Sequence, residues 1–308
     1  MEYLHTKPIK LPFMAKLRQT LSKALLGAMA TLIVAEIGVR ALGLTDFPLY
    51  EANNNIGYIP QANQQGRFLN KNEWAFNNEH MGSGPFQPSD AVDTLLIGDS
   101  IVLGGNPFTT AERLGPRLQA LIGGKVWPIS AGSWALRNEL TYLRAHKDVV
   151  AQVDRLVFVL NSGDFGEASS WSCELTHPLS RPIFSTYYLA QRYGTSVDKC
   201  GTTPAELQVP PGDAFQELAA FLRGTDKQVI VFLYPDKAEL ISKTQLQEKL
   251  TRHIPALRQA GAQHIFLVSD DSRWTPSAYK DTIHPSVQAT QTLASIMADK
   301  LKQTPLTH

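Results

Sequence analysis

Five short apolar runs that alternate with helix-like segments constrain the fold of this chain more than any other feature. Each run has the length and the unbroken apolar character of a strand that is buried on both faces of a sheet. The alternation predicts an α/β fold, a three-layer α/β/α sandwich with a central, mostly parallel five-stranded sheet. The predicted strands are DTLLIG (93–98), KVWPIS (125–130), RLVFVL (155–160), QVIVFLY (228–234) and HIFLVS (264–269).

Polar turns that contain glycine follow the first three predicted strands. Ser100 comes directly after the first strand, Gly132 follows the second, and residues 161–164 follow the third. Because the carboxyl ends of parallel strands share one edge of a sheet, and ligands bind at that edge, we expect these residues to form one site. Asp99 is expected to support the turn and is a further candidate for the substrate pocket.

A serine, a histidine and an aspartate provide the chemistry of nucleophilic catalysis. Ser100 is the candidate nucleophile, and its alternative role is that of a helix cap. His284 lies before the last predicted helix and is the candidate base. Asp281 lies three residues earlier in a turn, where its carboxylate can fold back on the imidazole and fix the tautomer. We therefore predict that these three residues form a catalytic triad.

These residues resemble the signatures of the SGNH, or GDSL-type, hydrolase superfamily. The chain reads GDS at 98–100 after a strand, a glycine at 132 after the next strand, and DTIH at 281–284. The resemblance covers about residues 91–304 and implies a flavodoxin-like sandwich with a Ser, His and Asp triad. It also implies that the backbone amides of Ser100 and Gly132 bind the oxyanion of an acyl-transfer reaction.

The chain departs from the family at the third signature, which is usually G-x-N-D. Here the sequence reads Asn161-Ser162-Gly163-Asp164, so that the Asn and the Gly are exchanged. The family's asparagine donates to the oxyanion, and here Asn161 must reach from two positions back or not serve at all. Loss of one such donor typically costs about 10²- to 10³-fold in rate. Residual activity, a rebuilt oxyanion hole and a noncatalytic protein are the open alternatives.

The implied function is that of a serine esterase acting on an acyl ester of a carbohydrate or lipid, or of an acyltransferase that modifies an exopolysaccharide. Transfer of the acyl group to water would make the protein an esterase, and transfer to a sugar hydroxyl would make it an acyltransferase. The N-terminal segment also resembles the anchor of envelope members that are associated with bacterial exopolysaccharide loci. The alternative from another class is a noncatalytic polysaccharide-binding or assembly factor of the cell envelope.

A basic segment, residues 1–20, precedes an apolar segment, residues 21–44, which as a helix would extend roughly 36 Å across a hydrocarbon core of about 30 Å. The basic flank predicts a single-pass signal anchor in the bacterial inner membrane, with the rest of the chain in the periplasm. Glu36 and Arg40 stand at i and i+4, and we expect them to pair near the outer interface. A cleaved signal peptide and a buried amphipathic helix are the alternatives.

Two segments show neither a helical nor a strand period. Residues 45–90 are rich in Asn and Gln, which favours an extracytoplasmic tether that merges into irregular packing. Residues 165–211 form an insertion in the hydrolase-like domain, residues 91–304. A loop of this length in a compact domain is usually functional or disordered, and we expect it to form a lid or a wall over the site.

The insertion carries four residues of interest. His177 and Arg181 are candidates for the substrate pocket. Cys173 and Cys200 are the only cysteines of the chain. In an oxidising compartment they can form a disulfide, and two free thiols are the alternative.

The overall charge and the absence of certain motifs argue against several classes of function. The net charge is +1, from 29 basic and 28 acidic side chains, which argues against an electrostatic nucleic-acid binder. The histidines lack ligand spacing with cysteines or carboxylates, and no nucleotide-binding glycine motif is present, so we predict neither a metal nor a cofactor. The expected partners are the membrane and an acylated carbohydrate or lipid, and no protein partner is indicated.

Overall fold

The computed structural model describes residues 12–194 and 200–306. Residues 1–11, which make up over half of the predicted basic segment, lie outside the described residues. The strands are β1 (Tyr50–Asn53), β2 (Gly57–Pro60), β3 (Gln64–Phe68), β4 (Asn72–Phe76), β5 (Asp93–Gly98), β6 (Lys125–Ser130), β7 (Arg155–Leu160), β8 (Gln228–Leu233) and β9 (His264–Leu267).

Helices follow most of these strands. The α-helices are α1 (Pro12–Ala41), α2 (Ser100–Leu103), α3 (Leu114–Ile122), α4 (Leu136–Ala145), α5 (Lys147–Gln152), α6 (Ser185–Tyr193), α7 (Ala214–Gly224), α8 (Lys237–Ile241), α9 (Lys243–Gln245), α10 (Ile254–Ala260) and α11 (Val287–Gln303). A π-helical turn spans Leu246–Leu250, and short 3-10 helices span Thr110–Glu112, Ala205–Leu207, Thr251–His253, Val268–Asp270 and Pro276–Ala278.

Five strands form one parallel sheet in the order β6-β5-β7-β8-β9. This order confirms the predicted α/β fold, and only the ends of β8 and β9 fall short of the predicted strands. From β5 the chain moves outward to β6 and then returns across β5 to β7, so the strand order reverses at β5. In doubly wound sheets the crevice at such a reversal, outside the carboxyl ends of the strands, is where ligands bind.

Helices cover both faces of this sheet and divide the core into two parts. Leu95 and Ile97 of β5 pack with side chains of α4, α7 and α10 on one face. Leu96, between them, packs with side chains of α3 and α11 on the other face. Successive side chains of a strand point to opposite faces, so a strand covered on both faces is apolar throughout. The three predicted layers are therefore present.

The segment 45–90 differs from the predicted irregular tether. β1 pairs with β2, and β3 pairs with β4, as two antiparallel hairpins. Leu69 and Asn70 at the tip of the second hairpin have φ of 56° and 54°, the backbone that a type I′ turn requires. The prediction is wrong for residues 50–76, because the asparagines mark tight turns between short strands and Tyr58 and Trp74 are buried.

The insertion 165–211 contains one α-helix, α6, within its described part. Cys173 and Cys200 are joined by a disulfide, so α6 is carried on a covalently closed loop. The indole of Trp171 donates to the carbonyl oxygen of His177 at 2.7 Å and fixes the start of this loop. The insertion is therefore an ordered part of the domain in its described residues.

The helix α1 is long and apolar enough to cross a membrane. An 18-residue window within residues 16–41 has a mean hydropathy of 1.7, and this window is not buried against the rest of the chain. A signal sequence near the N-terminus would have the same properties. Glu36 and Arg40 pair as expected, with 2.7 Å between Arg40 Nε and Glu36 Oε1.

Truncation of the central strand should destabilise the whole fold. Leu96 is fully buried, so Leu96→Ala should lower the free energy of unfolding by about 2–5 kcal/mol. The matched control is Ile241→Ala at an exposed isoleucine of α8, which should change it by less than about 0.5 kcal/mol. Urea unfolding of both variants in detergent, followed by tryptophan fluorescence, measures the difference. Equal effects of the two substitutions would contradict this position for β5.

Candidate active site

Ser100 lies on a tight turn between β5 and α2. The carboxylate of Asp99 accepts a hydrogen bond from the amide of Ile101 at 2.8 Å and caps the first turn of α2. A side chain at position 98 would be crowded, because a Cβ there would lie 2.6 Å from Val102 Cγ2 of α2 and 3.1 Å from the carbonyl oxygen of Val159 on β7. Asp99 is only 4% exposed, so the structure corrects its predicted place in the substrate pocket: Asp99 supports the turn from inside.

His284 and Asp281 meet Ser100 at the carboxyl edge of the sheet. His284 Nε2 lies 2.9 Å from Ser100 Oγ. On the other side of the imidazole, His284 Nδ1 lies 2.9 Å from Asp281 Oδ2 and 3.1 Å from Asp281 Oδ1. A hydroxyl, an imidazole and a carboxylate in this order match the geometry of a serine nucleophile with its base and the acid that orients the base.

The loop before α11 holds its position through the end of β8. The hydroxyl of Tyr234 donates to the carbonyl oxygen of Ile283 at 2.7 Å. The amide of Lys237, the first residue of α8, donates to the carbonyl oxygen of Thr282 at 2.9 Å. These two bonds fix the backbone directly before His284 and thereby place the imidazole over the turn after β5.

The turn around Asp281 also sets its charge. Partial desolvation favours the neutral acid, but the amides of His284 and Ile283 donate to Asp281 Oδ1 at 2.8 and 3.0 Å. Together with the imidazole, these donors hold the pKa of Asp281 below its usual value. The side chains of His284 and Asp281 are 34% and 45% exposed, so solvent reaches this side of the site.

Gly132, after β6, is held by two aromatic side chains from outside the sheet. The hydroxyl of Tyr58 donates to the carbonyl oxygen of Gly132 at 2.6 Å. His177 Nε2 lies 3.3 Å from the same oxygen, and the His177 ring stacks on the Tyr58 ring with centroids 3.8 Å apart. The β1-β2 hairpin and the insertion therefore meet at this glycine and fix the orientation of its backbone.

His177 is kept neutral by its surroundings. Burial and, to a smaller extent, the charge of Arg192 lower the pKa of the imidazole to about 4, although the hydrogen bond to Gly132 acts in the opposite direction. A neutral imidazole donates from one nitrogen only, and donation from Nε2 to the Gly132 carbonyl assigns the tautomer. His177 thus contacts the backbone of Gly132 through Nε2 and the hydroxyl of Thr176 through Nδ1.

Arg181 does not join this group. Its guanidinium donates to the carbonyl oxygens of Thr45 and Phe47 and to the carboxylate of Asp46, at 2.7 Å from Thr45 and 3.2 Å from Asp46. The predicted place of Arg181 in the substrate pocket is therefore corrected. This side chain fastens the segment after α1 to the insertion, and its described polar contacts are used for that.

The side-chain amide of Asn161 is occupied by two carboxylates. Asn161 Nδ2 donates to Asp99 Oδ2 at 3.1 Å and to both oxygens of Asp164 at 3.0 Å. Its Oδ1 accepts from the amide of Gly163 at 2.8 Å. Because an amide group has two protons to donate, none is left for a substrate in this arrangement. The predicted oxyanion role of Asn161 is corrected accordingly: Asn161 joins the turns after β5 and β7.

Three carboxyl groups, those of Asp99, Asp164 and Glu139, are buried close together beside Ser100. Burial raises the pKa of Asp99 to about 6 and raises the pKa values of Asp164 and Glu139 well above the ordinary range, with repulsion from Asp99 adding to the effect. Neither carboxyl oxygen of Glu139 has a hydrogen-bond partner among the described residues. These acids keep their protons to a higher pH than exposed acids, which limits the negative charge next to Ser100.

Neither Tyr58 nor Glu139 carries a signal in the sequence that would place it beside the candidate site. Tyr58 lies in the Asn-rich segment that lacks a period, and its contact with Gly132 spans 74 positions. Glu139 lies on α4 as a charged residue that a helical pattern would place at the surface. Across residues 12–194 and 200–306, no group of three or more His, Cys, Asp and Glu side chains is arranged to hold a metal ion.

The burial of His177 should appear in the pH dependence of stability. In the unfolded chain this histidine titrates near pH 6.5, and in the folded chain burial lowers its pKa to about 4. Between these values only the unfolded chain binds the proton, so the stability that the neutral ring contributes is lost as the pH falls from about 6.5 to about 4. His177→Gln keeps a donor for Gly132 but takes up no proton.

The free energy of unfolding of the wild type, measured by urea unfolding relative to His177→Gln, should therefore decrease as the pH falls from about 6.5 to about 4. A difference between the two proteins that does not change with pH would contradict the buried, neutral state of His177. The variant also removes a ring that packs on Tyr58, so the slope with pH, and not the absolute difference, is the informative quantity.

Comparisons with known proteins give distant structural neighbours. No protein-family model matches the chain, and no curated protein matches it. A protein assigned to the lipolytic G-D-S-L family from Desulfitobacterium hafniense DCB-2 is 11% identical, with 68% of this chain and 98% of that chain covered and a TM-score of 0.42. The psychrotrophic esterase EstA from Pseudoalteromonas sp. is 12% identical, with 68% and 97% covered and a TM-score of 0.39.

A carbohydrate esterase family 2 enzyme from Corynascus thermopiles (Myceliophthora fergusii) is 13% identical, with 71% of this chain and 68% of that chain covered and a TM-score of 0.42. The geometry of the candidate site follows from the contacts within this chain and does not depend on these neighbours. In its sheet order, in the GDS turn after β5 and in the hydrogen bonds from Ser100 through His284 to Asp281, the chain is similar to the SGNH, or GDSL-type, hydrolases.

Proposed function

We propose that the chain is a serine esterase of the SGNH type, acting on an acyl ester of a carbohydrate or lipid. The observation that carries the proposal is the pair of hydrogen bonds that joins Ser100 Oγ to His284 Nε2 and His284 Nδ1 to Asp281, each 2.9 Å long. Ser100 is also the first residue of a helix, where its backbone amide has no partner within the helix and can bind an anion.

The reaction proceeds through an acyl-enzyme. Ser100 Oγ attacks the carbonyl carbon of the ester while His284 Nε2 takes the hydroxyl proton, and the ionised Asp281 stabilises the imidazolium. The tetrahedral intermediate breaks its bond to the alcohol, which leaves with the proton from His284. The hydroxyl of an acceptor then attacks the acyl-serine and gives its proton to His284. The bond between Ser100 Oγ and the acyl carbon breaks, His284 returns the proton to Ser100 Oγ, and the acylated acceptor leaves.

The oxyanion of the intermediate is bound by backbone amides in this proposal. The amides of Ser100 and Gly132 are the donors, because the side chain of Asn161 is occupied by carboxylates. Preorganised donors of this kind are usually the largest single contribution to catalysis of acyl transfer. Tyr58 and His177 support the site from outside, since both contact the carbonyl oxygen of Gly132 and so keep its backbone from turning.

Water is the acceptor that the geometry favours. The side chains of His284 and Asp281 are partly exposed, so a water molecule can approach the imidazole that must take its proton. An acyltransferase has to keep water away from the acyl-enzyme until the sugar hydroxyl is bound. Transfer of the acyl group to or from an exopolysaccharide is the finer possibility, and it requires that a bound saccharide covers this exposed side.

The location that fits this function is the outer side of a bacterial inner membrane. In this proposal α1 is a single-pass anchor, residues 21–44, with the basic segment 1–20 in the cytoplasm and the hydrolase-like domain, residues 91–304, in the periplasm. The disulfide between Cys173 and Cys200 supports an oxidising compartment for the domain.

A noncatalytic polysaccharide-binding or assembly factor of the envelope is the second candidate. The observation that favours it is the loss of the side-chain oxyanion donor, because Asn161 is bound to Asp99 and Asp164. The retained hydrogen bonds of Ser100, His284 and Asp281 favour the enzyme, since a binding protein has no need of a hydroxyl aligned with an imidazole and a carboxylate.

A fluorophosphonate probe distinguishes the two candidates. The wild type should be labelled covalently at Ser100, because the probe phosphorylates only a serine that a base activates. Ser100→Ala should abolish the label, and His284→Ala should slow labelling by orders of magnitude. Gel fluorescence after timed incubation and mass spectrometry of the labelled peptide provide the measurement.

The matched control is Ser295→Ala on α11, whose hydroxyl donates to the carbonyl oxygen of Gln291 and should not affect labelling. Labelling that persists in Ser100→Ala and does not depend on His284 would exclude this serine as the nucleophile. Complete absence of labelling in the folded wild type would favour the noncatalytic protein.

Removal of the Asn161 side chain should affect stability more than rate. Asn161→Ala removes one donor from each of the buried carboxyls of Asp99 and Asp164, which should lower the free energy of unfolding by about 1–3 kcal/mol. The folded variant should keep kcat within about tenfold of the wild type, because the amides of Ser100 and Gly132 remain. Urea unfolding and ester hydrolysis at low temperature measure the two effects.

The neighbouring substitution Ser162→Ala is the control, since no hydrogen bond of that side chain joins the turns. A loss of about 10²- to 10³-fold in kcat with unchanged stability would show instead that Asn161 is an oxyanion donor. That outcome would contradict the arrangement in which two carboxylates occupy its amide.

A further inference from the structure

An exposed apolar surface lies on the insertion beside the end of α1. Residues 182–193, which we call the interfacial segment, comprise the residues before α6 and α6 itself. Four large side chains of this segment face solvent: Ile183 is 82% exposed, Phe184 67%, Tyr187 63% and Tyr193 69%. Contiguous exposed apolar groups of this size on an otherwise polar domain mark a contact with a partner or a membrane.

The interfacial segment is fastened to α1 through Glu36. The carboxylate of Glu36 accepts hydrogen bonds from the amides of Ser185 and Thr186 at 2.8 and 2.9 Å and from the Thr186 hydroxyl at 2.8 Å. These amides open α6, so a side chain of the apolar helix caps the helix of the insertion. The two helices therefore have a fixed relative position at this contact.

Arg40, one helical turn after Glu36 in α1, also binds the interfacial segment. Its guanidinium pairs with Glu36 at 2.7 Å and donates to the carbonyl oxygens of Pro182 and Ile183 at 3.2 and 2.6 Å. Both charged groups in the last turns of α1 thus bind the interfacial segment. A charge near a bilayer boundary is tolerated when it is paired and hydrogen-bonded in this way.

The length of α1 places this contact at the boundary of a bilayer. From Leu21 to Ala41 the helix extends about 30 Å, the thickness of a hydrocarbon core. If the core begins near Leu21, Glu36 lies about one turn inside its outer boundary and Arg40 lies at that boundary. The residues that bind these two side chains, 182–186, are then held at the same depth.

We propose that the interfacial segment lies on the outer surface of the bilayer, with Ile183 and Phe184 in the boundary between headgroups and acyl chains. Tyr187 and Tyr193 suit this position, because tyrosine rings concentrate at membrane interfaces with the apolar ring buried and the hydroxyl in water. A lipid surface is the occupant, since the exposed side chains continue the apolar surface of α1 itself. The proposal rests on the membrane-anchor part of the proposed function.

This second contact would orient the catalytic domain. Arg192, at the end of α6, donates to the carbonyl oxygen of Leu175 at 2.6 Å, two residues before His177. His177 in turn contacts Gly132 in the candidate site. A helix anchor alone leaves the domain free to tilt, whereas two contacts hold the site at a constant height above the lipid.

Depth-dependent fluorescence quenching tests the proposal on the full chain. Single cysteines are introduced as Phe184→Cys, Ile33→Cys in α1 and Gln247→Cys on the exposed body, and each is labelled with a nitrobenzoxadiazole dye. Cys173 and Cys200 remain in their disulfide and do not react. The labelled proteins are reconstituted at low protein-to-lipid ratio in phosphatidylethanolamine and phosphatidylglycerol vesicles, with brominated lipids or aqueous iodide as quenchers.

The dye at position 184 should behave like the dye at position 33. Brominated lipid should quench both dyes several-fold more than the dye at position 247, and iodide should quench both of them less. If positions 184 and 247 respond alike while position 33 is protected, the anchor is present and the second contact is refuted. If position 33 is also accessible to iodide, the anchor fails as well. Protection at 184 that disappears as the protein is diluted in lipid would identify a second copy as the occupant and overturn the proposal.

The measurement does not involve ester cleavage, so its outcome is independent of whether Ser100 is a nucleophile. A second pair of variants separates contact from folding. A dye attached at Tyr187→Cys reports the lipid contact of the segment. Adding Phe184→Asp should lower the quenching of this dye by brominated lipid without changing the circular dichroism of the protein. Ile241→Asp, at an exposed isoleucine away from the segment, should leave the lipid contact unchanged.

Discussion

The parallel order of the five central strands is the constraint on which the rest of this structure depends. Parallel strands place their carboxyl ends at one edge, and the reversal of strand order at β5 opens a crevice there. The hydrogen bond between Ser100 and His284 joins residues 184 positions apart, and it exists only because α11 returns to this edge. The glycine at position 98 allows the turn at Ser100, since a Cβ there would collide with Val102 of α2.

The elements around this sheet converge on the same edge from outside. The β1-β2 hairpin brings Tyr58 and the insertion brings His177, and both contact the carbonyl oxygen of Gly132. The insertion also joins α1 through Glu36 and Arg40, so one covalently closed loop connects the apolar helix to the candidate site. In this architecture hydrogen bonds through the insertion link α1 to the turn at Gly132.

The sheet was predictable because it depends on local patterns, and so was the meeting of Ser100, His284 and Asp281 at its edge. Unbroken apolar runs fix the strands, and GDS and DTIH name residues that the edge of a parallel sheet must bring together. The hairpins were missed because their strands have only four or five residues and their asparagines resemble a loop. The partners of Asn161 could not be derived either, since nothing in the sequence states that its amide is bound by two carboxyls from different turns.

The buried acids illustrate a further limit of sequence reasoning. Acidic residues such as Asp99, Asp164 and Glu139 are expected at the surface of a protein. In this structure all three are buried, and their pKa values are raised. Burial and mutual repulsion are properties of the folded arrangement and leave no pattern in the chain. They matter for the chemistry, because an additional negative charge beside Ser100 would oppose the formation of an oxyanion there.

The central claim is that Ser100 carries the acyl group during turnover, and trapping of the acyl-enzyme tests it most directly. The full chain is mixed with an activated acetyl ester, quenched in acid within the first turnover and digested for peptide mass spectrometry. An acetyl group on the peptide that contains Ser100, lost over time in water, is the result that we predict. Ester cleavage without an acetylated serine, or acetylation at another residue in proportion to turnover, would contradict it.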